Sequence, residues 1–447
     1  MNTKKVAITT LGCKVNQYES SSIAEMFRAR GYDVVDFGDR ADVYVINTCT
    51  VTHMGDRKSR QLIRRAIKSN PDGTVVVAGC YSQVSPGEVL EIPGVDLVMG
   101  TAEKSRIVDR VEEIQKGQKV NAVLDSAMLT DFEELPYLAA TERVRAFLKI
   151  QEGCNNYCSY CIVPYARGPL RSREPSRILE EALRLADSGY REIVLSGIHT
   201  GAYGKDKPGG IDLAGLLDRL SEIRGLARIR LSSVEPMDVT GDLISVLAKG
   251  SPFCPHLHIP LQSGDDEILS AMKRHYRSDD FRLLVNEIRE RINDVSVTTD
   301  VIAGFPGETE ENFLNTYKLI KELKFSGMHI FKYSPRKGTR AAEYPNQVPA
   351  GIKETRSKKL IELGSELSGE FASRYLGKSV EVLVEENVED RPGMMQGHTA
   401  NYLSVVFPGR GEMRGNFVEV RAEELSGATL EGRIIKNVEG FINVNVE

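Results

Sequence analysis

No stretch of this 447-residue sequence approaches the ~20 consecutive apolar residues of a membrane span, so a membrane-crossing helix is not expected. The opening MNTKKVAITTLGCK places two lysines before an apolar run, as a signal peptide does. That run is brief, holds two threonines and leads into Cys-Lys rather than a small-residue cleavage site. Positive charge is not in surplus either. The 58 Lys+Arg stand against 63 Asp+Glu, a formal net charge of -5, so nothing draws the whole chain to nucleic acid and any basic surface must be local. Internal repeats and low-complexity segments are missing. The seven cysteines form no small disulfide-dense module, which excludes a disulfide scaffold and predicts ligand or catalytic thiols in a reducing compartment. The expected location is cytoplasmic. What is present is an ordinary globular composition, 41% hydrophobic and 27% charged. At about 150 residues per domain, the length predicts two or three domains.

Strand and helix patterns alternate over the first hundred residues. KVAITTLG, YDVVDF, DVYVINT, TVVVAG and VDLVMG read as strands, with helices over 17–30 and 56–69. This alternation predicts a doubly wound parallel sheet. Residues 116–139 have no clear period and read as a linker. A second alternation follows, with strands RAFLKI, REIVLSG, ARIRLSS, HLHIPLQ, VSVTTDVIAG and GMHIFKY. Six strand–helix units predict a partial (β/α)6 barrel. A charged helix over 352–375 closes this part. Beyond it, SVEVLVEE, NYLSVVF, GNFVEV, TLEGRII and FINVNV are short strands with turn signals, hence a small all-β barrel. The expected layout is α/β with domains 1–115, 140–372 and 373–447.

Residues 153–161 read GCNNYCSYC and gather Cys154, Cys158 and Cys161 after the first barrel strand. Soft thiolates select zinc, copper or iron–sulfur. Structural zinc takes four protein ligands, and the local sequence offers three. An iron–sulfur cube on three cysteines keeps one iron open to a substrate. A zinc knuckle completed by a distant His, or plain buried thiols, is the alternative. Cys13, Cys49 and Cys80 are scattered, yet each directly follows a strand: ITTLG-C, VYVINT-C and VVVAG-C. Strand C-termini of a parallel sheet share one edge, so these three also converge on paper. One free Cys at a strand end is usually a small buried hydrophobe; three at equivalent positions weaken that reading.

The C-x3-C-x2-C loop, with Tyr160 before its last Cys and six β/α units after it, resembles the radical S-adenosylmethionine (SAM) enzymes. That resemblance implies a [4Fe–4S] cluster whose open iron chelates SAM. Reduction of the cluster then generates a 5′-deoxyadenosyl radical. Two three-cysteine sites and a terminal β-barrel together resemble the methylthiotransferases, across nearly the whole chain. LGCKVNQYES (11–20) is especially similar to the branch acting on N6-threonylcarbamoyladenosine in tRNA. VPYARGPLRSR, IRLSSVEP, HIPLQSG, TTDVIAGFPGET and FKYSPRKGT resemble further family blocks, and the terminal barrel resembles the RNA-binding TRAM module.

The resemblance implies two [4Fe–4S] clusters, on Cys13, Cys49 and Cys80 and on Cys154, Cys158 and Cys161, the former delivering sulfur. It implies methylthiolation of carbon 2 of the modified adenine next to the anticodon. The implied partners are a tRNA anticodon stem-loop and an electron donor such as flavodoxin or ferredoxin, for a monomeric enzyme. Two sister reactions compete, on isopentenyladenosine in tRNA and on an aspartate of a ribosomal protein. A non-catalytic, zinc-containing RNA-binding protein is the alternative of another class.

Tyr160, Gly197, Ser233, Glu235, Gln262 and Ile302 are the candidate SAM contacts. Gly197 stands in Ser196-Gly197-Ile198, which departs from the family's usual Gly-Gly-Glu. His256 and His258 share a strand face and read as core histidines; Cys254 reads as inert. Basic residues gather around Arg57–Lys68, Arg167–Arg177, Lys273–Arg277 and Lys332–Arg340. From these, Arg64, Arg167, Arg171, Arg173 and Arg336 are the candidate RNA contacts. Residues 374–447 carry 8 Lys+Arg against 12 Asp+Glu, so the terminal barrel itself is acidic.

Overall fold

A computed structural model describes residues 3–136 and 144–437. Strands β1 (Lys5–Thr10), β2 (Asp33–Val35), β3 (Val43–Thr48), β4 (Thr74–Gly79) and β5 (Leu97–Met99) form a parallel sheet in the order β2-β1-β3-β4-β5. All six residues of β3 are buried because both faces are covered. Helix α1 (Lys14–Ala29) brings Ile23 and Phe27 against Val43 and Val45. Helix α2 (His53–Ser69), capped by Thr52, brings Ile63 and Ala66 against Tyr44 and Ile46 on the other side. Two-sided burial is why these strands read as continuous apolar runs. A sixth strand, β6 (Val120–Ala122), pairs with β5. It lies in the stretch expected to be linker; three residues are too few for a strand period to show.

The second domain holds β7 (Arg145–Lys149), the short antiparallel pair β8 (Gln151–Glu152) and β9 (Arg171–Ser172), then β10 (Glu192–Ser196), β11 (Arg228–Leu231), β12 (His256–His258), β13 (Ser296–Ala303) and β14 (Gly327–Lys332). Parallel ladders run β7-β10-β11 and β12-β13-β14. Single parallel bridges, Ile229 to Phe253 and Ser233 to His258, join the two halves. β7 and β14 do not pair, so the barrel is open along one side. The helix Ala350–Ser373 packs Leu360, Leu363 and Leu367 into the barrel core.

The third domain is a closed barrel, ordered β15-β16-β17-β19-β18, of β15 (Ser379–Asn387), β16 (Met394–Thr399), β17 (Ser404–Pro408), β18 (Phe417–Ser426) and β19 (Thr429–Asn437). Four of its strands are the expected ones. β16 was hidden by its polar MMQGHT sequence. Its Gly397 sits where a Cβ would lie 2.1 Å from the Leu383 carbonyl oxygen, a close strand approach that only glycine permits. The expected strand FINVNV lies outside the described residues. Among those residues no helix is long and apolar enough to cross a membrane.

Candidate active site

The strand-end geometry brings Cys13, Cys49 and Cys80 together. Gly12, at φ +104°, turns the chain out of β1 so tightly that a Cβ there would lie 3.0 Å from the Cys49 Sγ; a side chain is excluded on both counts. Cys13 takes the N-cap position of α1 without making a side-chain capping bond. Cys80 begins a short helix after Gly79, itself at φ +100°. All seven cysteines of the chain are free thiols. Burial pushes the Cys49 thiol up to about 11, with Cys80 and Cys13 adding to it, and burial raises Cys80 as well. Cys49 and Cys80, whose ionisation burial disfavours, beside Cys13 and with no disulfide among the three, suit a site that supplies its own positive charge.

Part of that charge comes from the second domain. Arg167 is fully buried. Its Nε donates to the Cys80 Sγ at 3.2 Å, Nη1 donates to Glu19 at 2.6 Å, and Nη2 donates to the Asn16 side chain. Lys104 also pairs with Glu19, while Lys149 pairs with Glu152 at 2.5 Å and Glu19 at 3.3 Å. Burial would raise the Glu19 carboxyl, but Arg167, Lys104 and Lys149 together hold it well below the usual carboxylate range. Three cations thus meet two carboxylates, and the excess positive charge faces the thiols. The sequence signal for this network was present: Cys13, Asn16 and Glu19 recur every three residues, one face of α1.

The other three thiols lie on the loop after β8. The Cys154 Sγ contacts the His199 Nδ1 at 3.6 Å, and the His199 Nε2 contacts Asp238 at 2.6 Å. Burial opposes protonation of His199, yet Asp238 and Cys154 lift its pKa to about 10. The Arg274 guanidinium donates to the Cys158 Sγ at 3.4 Å and pairs with Glu235. Beside this loop a cavity of about 350 Å³ is lined by Asn155, Cys158, His199, Glu235, Asp238 and Arg274. His199, Asp238 and Arg274 carried no spacing signal, since three different loops bring them to the thiols.

A larger cavity, about 730 Å³, runs along the barrel interior. Gly12, Cys13 and Lys14 line it from the first domain, Gly197, Ser233, His258, Asp300 and His329 from the barrel, and Asn401 and Tyr402 from the third. Asp300 receives His329 Nδ1 at 3.0 Å and His258 Nε2 at 3.2 Å. Burial acts to raise the Asp300 carboxyl, but these two imidazoles hold it down to about 2. Burial, with Arg145 and Arg230 beside it, lowers Lys14 to about 8.

Of the expected SAM contacts, Gly197 and Ser233 line the larger cavity and Glu235 the smaller. Tyr160 packs edge-on against Phe305 at 6.4 Å, beside Ile302. Gln262 is buried, and neither it nor Ile302 lines either cavity. The expected RNA contacts need a larger correction. Arg64 is exposed, but Arg167, Arg171, Arg173 and Arg336 are buried. Arg171 bonds the carbonyls of Pro169 and Arg167. Arg173 pairs with Glu134 and Glu181 at 2.6 and 2.5 Å. Arg336 bridges to Thr50 and Asp56 of the first domain at 2.6 and 2.7 Å. Guanidiniums spent on internal carboxylates and carbonyls are withdrawn from phosphate.

Three family models match in series: the uncharacterized protein family UPF0004 over residues 5–100, the radical SAM superfamily over 148–320 and the TRAM domain over 373–435. The threonylcarbamoyladenosine tRNA methylthiotransferase MtaB of Bacillus subtilis is 46% identical over 441 residues, 98% of each chain. The chain belongs to the radical SAM methylthiotransferases. A sister enzyme, the tRNA-2-methylthio-N(6)-dimethylallyladenosine synthase of Moorella thermoacetica, is 37% identical, covering 97% of this chain and 98% of its own. Among solved structures, the radical SAM methyltransferase TsrM from Kitasatospora setae superposes with a TM-score of 0.57. It is 17% identical and covers 74% of this chain and 73% of its own, a likeness of fold. Membership carries a [4Fe–4S] cluster and SAM as cofactors, and the C-x3-C-x2-C thiols fit a cluster with one open iron.

Proposed function

We propose that this enzyme converts N6-threonylcarbamoyladenosine in tRNA to its 2-methylthio derivative. The carrying observation is the gathering of Cys13, Cys49 and Cys80, of which Cys13 lines the cavity in the barrel. When bound, a cluster on Cys154, Cys158 and Cys161 supplies the electron that cleaves SAM, and a second cluster on Cys13, Cys49 and Cys80 supplies sulfur. Carbon 2 of adenine bears a hydrogen without acidic character, so a general base alone does not activate it. A radical source and a sulfur source in one chain answer that need.

The chain's own residues then have three tasks. Gly12, Arg167 and the Glu19–Lys104–Lys149 cluster hold the first domain's thiols against the barrel. Gly197, which follows β10, and Ser233 and Glu235, on the loop after β11, contact SAM on this reading. The 730 Å³ cavity receives the base, which must leave its stack to reach it. The anticodon loop suits this because its bases are unpaired and cost less to splay out. The partners on this reading are a tRNA anticodon stem-loop, bound in part through the exposed face of α2, and a small electron carrier such as flavodoxin or ferredoxin; the enzyme acts as a monomer.

Anaerobically reconstituted enzyme, given SAM, a reductant and two tRNA pools, tests this. Methylthiolation of the threonylcarbamoyl pool is expected. Preference for the isopentenyl pool moves the enzyme to the sister branch, and activity on a ribosomal protein alone removes tRNA from the reading. A colourless, zinc-loaded preparation without turnover supports the non-catalytic alternative.

A further inference from the structure

Lys14 is the first residue of α1, next to Cys13, and lines the large cavity. It has no hydrogen-bond or ion-pair partner among the described residues. Its surroundings are cationic. Apart from the Cys13 thiol beside it, the acid that reaches it is Glu192, already held by Arg230 at 2.7 Å and lying 3.6 Å from Arg228 and 3.9 Å from Arg145. The remaining acids here, Glu385 and Glu381, are taken by Arg145 at 2.7 Å and Arg228 at 3.0 Å. Four cations therefore face three carboxylates, and the one left over is Lys14. Asp300, the one carboxylate lining the cavity among the described residues, is engaged by two histidines. A half-buried ammonium without a counter-ion is costly, and its position calls for an anion brought in from outside.

We propose that Lys14 pairs with the carboxylate of the threonylcarbamoyl group and so selects this nucleoside over adenosines with an apolar N6 substituent. This rests on the function proposed above. The placement is consistent with it, because Cα atoms of consecutive residues lie about 3.8 Å apart. Carbon 2 and the carbon bearing N6 flank N1 on one edge of adenine, so a base whose carbon 2 faces Cys13 can turn its N6 arm toward Lys14, whose long stem can follow the carboxylate. An isopentenyl arm offers the ammonium nothing and leaves it desolvated and unpaired, the kind of mismatch that discriminates strongly.

The test compares the native holoenzyme with Lys14→Gln and Lys14→Arg on two anticodon stem-loops. One carries threonylcarbamoyladenosine and the other its threoninamide analogue, in which a carboxamide replaces the carboxylate. Both kcat/KM and the equilibrium Kd are read. A charge-assisted contact predicts that the native enzyme prefers the carboxylate by about 10–100-fold. Lys14→Gln should bring that ratio near unity, and Lys14→Arg should retain most of it. A ratio is insensitive to general loss of folding or of RNA affinity. A native enzyme that turns over both loops equally, or a Lys14→Gln enzyme that keeps the native ratio, overturns the assignment while leaving the proposed function intact. Native turnover of neither loop, with turnover of an isopentenyl loop, brings down both.

Discussion

The Nε of Arg167 donates to the Sγ of Cys80 across 3.2 Å, and this contact joins two domains. Arg167 ends a short helix, Val163–Arg167, that follows the barrel's own thiol loop. Cys80 directly follows β4 of the first domain. The segment that begins with one set of thiols thus finishes by supporting the other, and the relative position of the two sites is built into a buried hydrogen-bond network.

Replacing Arg167 with Leu should therefore be severe. It strips Asn16, Glu19 and Glu152 of a shared buried donor, and breaking such a network costs about 3–5 kcal/mol. Arg167→Lys should recover part of the stability, since it restores the charge but cannot reproduce the forked donation. Thermal unfolding under anaerobic conditions measures the loss. Iron release under a chelator should show the Arg167→Lys enzyme losing iron in two phases where the native enzyme loses it in one.

The two thiol sets should be separable. Cys154→Ala, Cys158→Ala and Cys161→Ala together should abolish 5′-deoxyadenosine formation. The matching triple replacement of Cys13, Cys49 and Cys80 should remove about half the iron, still allow SAM cleavage and yield no methylthio product. Normal product formation by that second variant would end the idea of a sulfur-supplying site.

Asp300 gives a pH prediction with a definite sign. Its carboxyl is depressed from an ordinary 3.8 to about 2 by His258 and His329, against burial. The stability this contributes is complete above the ordinary value and is lost as the pH falls toward about 2. At pH 7, Asp300→Asn should cost about 2 kcal/mol in urea unfolding, and the gap from the native protein should narrow below pH 4. The Asp300 bond also raises His329, so its share acts the other way: present below 6.5 and lost as the pH rises through the lifted value. An NMR titration should find His329 titrating lower in Asp300→Asn.

Much of this was legible in the sequence, and the limits have physical causes. The strands of the first domain are buried on both faces and announce themselves as apolar runs. Placing Cys13, Cys49 and Cys80 at their ends required only that parallel strands share an edge. β6 and β16 escaped because a three-residue strand and a strand carrying Gln396, Gly397 and His398 show no period. The arginines misled for a different reason. A linear sequence shows that Arg167, Arg171, Arg173 and Arg336 are charged, not which carboxylate or carbonyl they meet. Glu134 and Glu181 lie 39 residues before and 8 after Arg173, and Asp56 lies 280 residues from Arg336; no local pattern relates them.

Tyr402 should act as the latch between the third domain and the barrel. Its ring stacks on His398 at 4.8 Å and takes the guanidiniums of Arg230 and Arg145 at 4.6 and 5.3 Å. Each such cation–π contact contributes roughly 0.5–2 kcal/mol. Tyr402→Ala should loosen the terminal barrel, visible as earlier cleavage between the second and third domains in limited proteolysis. Unchanged cleavage would show that the bonds donated by the Arg228 and Arg230 guanidiniums to the His398 and Ala400 carbonyls suffice.

The electrostatic component of tRNA binding should come from the exposed face of α2 rather than from the arginines after the thiol loop. Arg57, Arg64, Arg65 and Lys68 are exposed on this helix, which starts directly after the Cys49 loop. At 1.5 Å per residue, Arg57 and Lys68 stand about 16 Å apart along its axis, a span that covers several nucleotides. If about four phosphates are neutralised, log affinity should fall with log salt at a slope of roughly -3 for single-stranded RNA. Replacing Arg57, Arg64 and Lys68 with Gln should flatten that slope by about two units, with stability little changed because none of the three is buried. Arg173→Gln makes the contrasting control. It breaks internal pairs with Glu134 and Glu181, so it should lower the melting temperature and leave the salt slope where it was. A slope that flattens with Arg173→Gln and not with the α2 variant would return the phosphate path to the barrel loop.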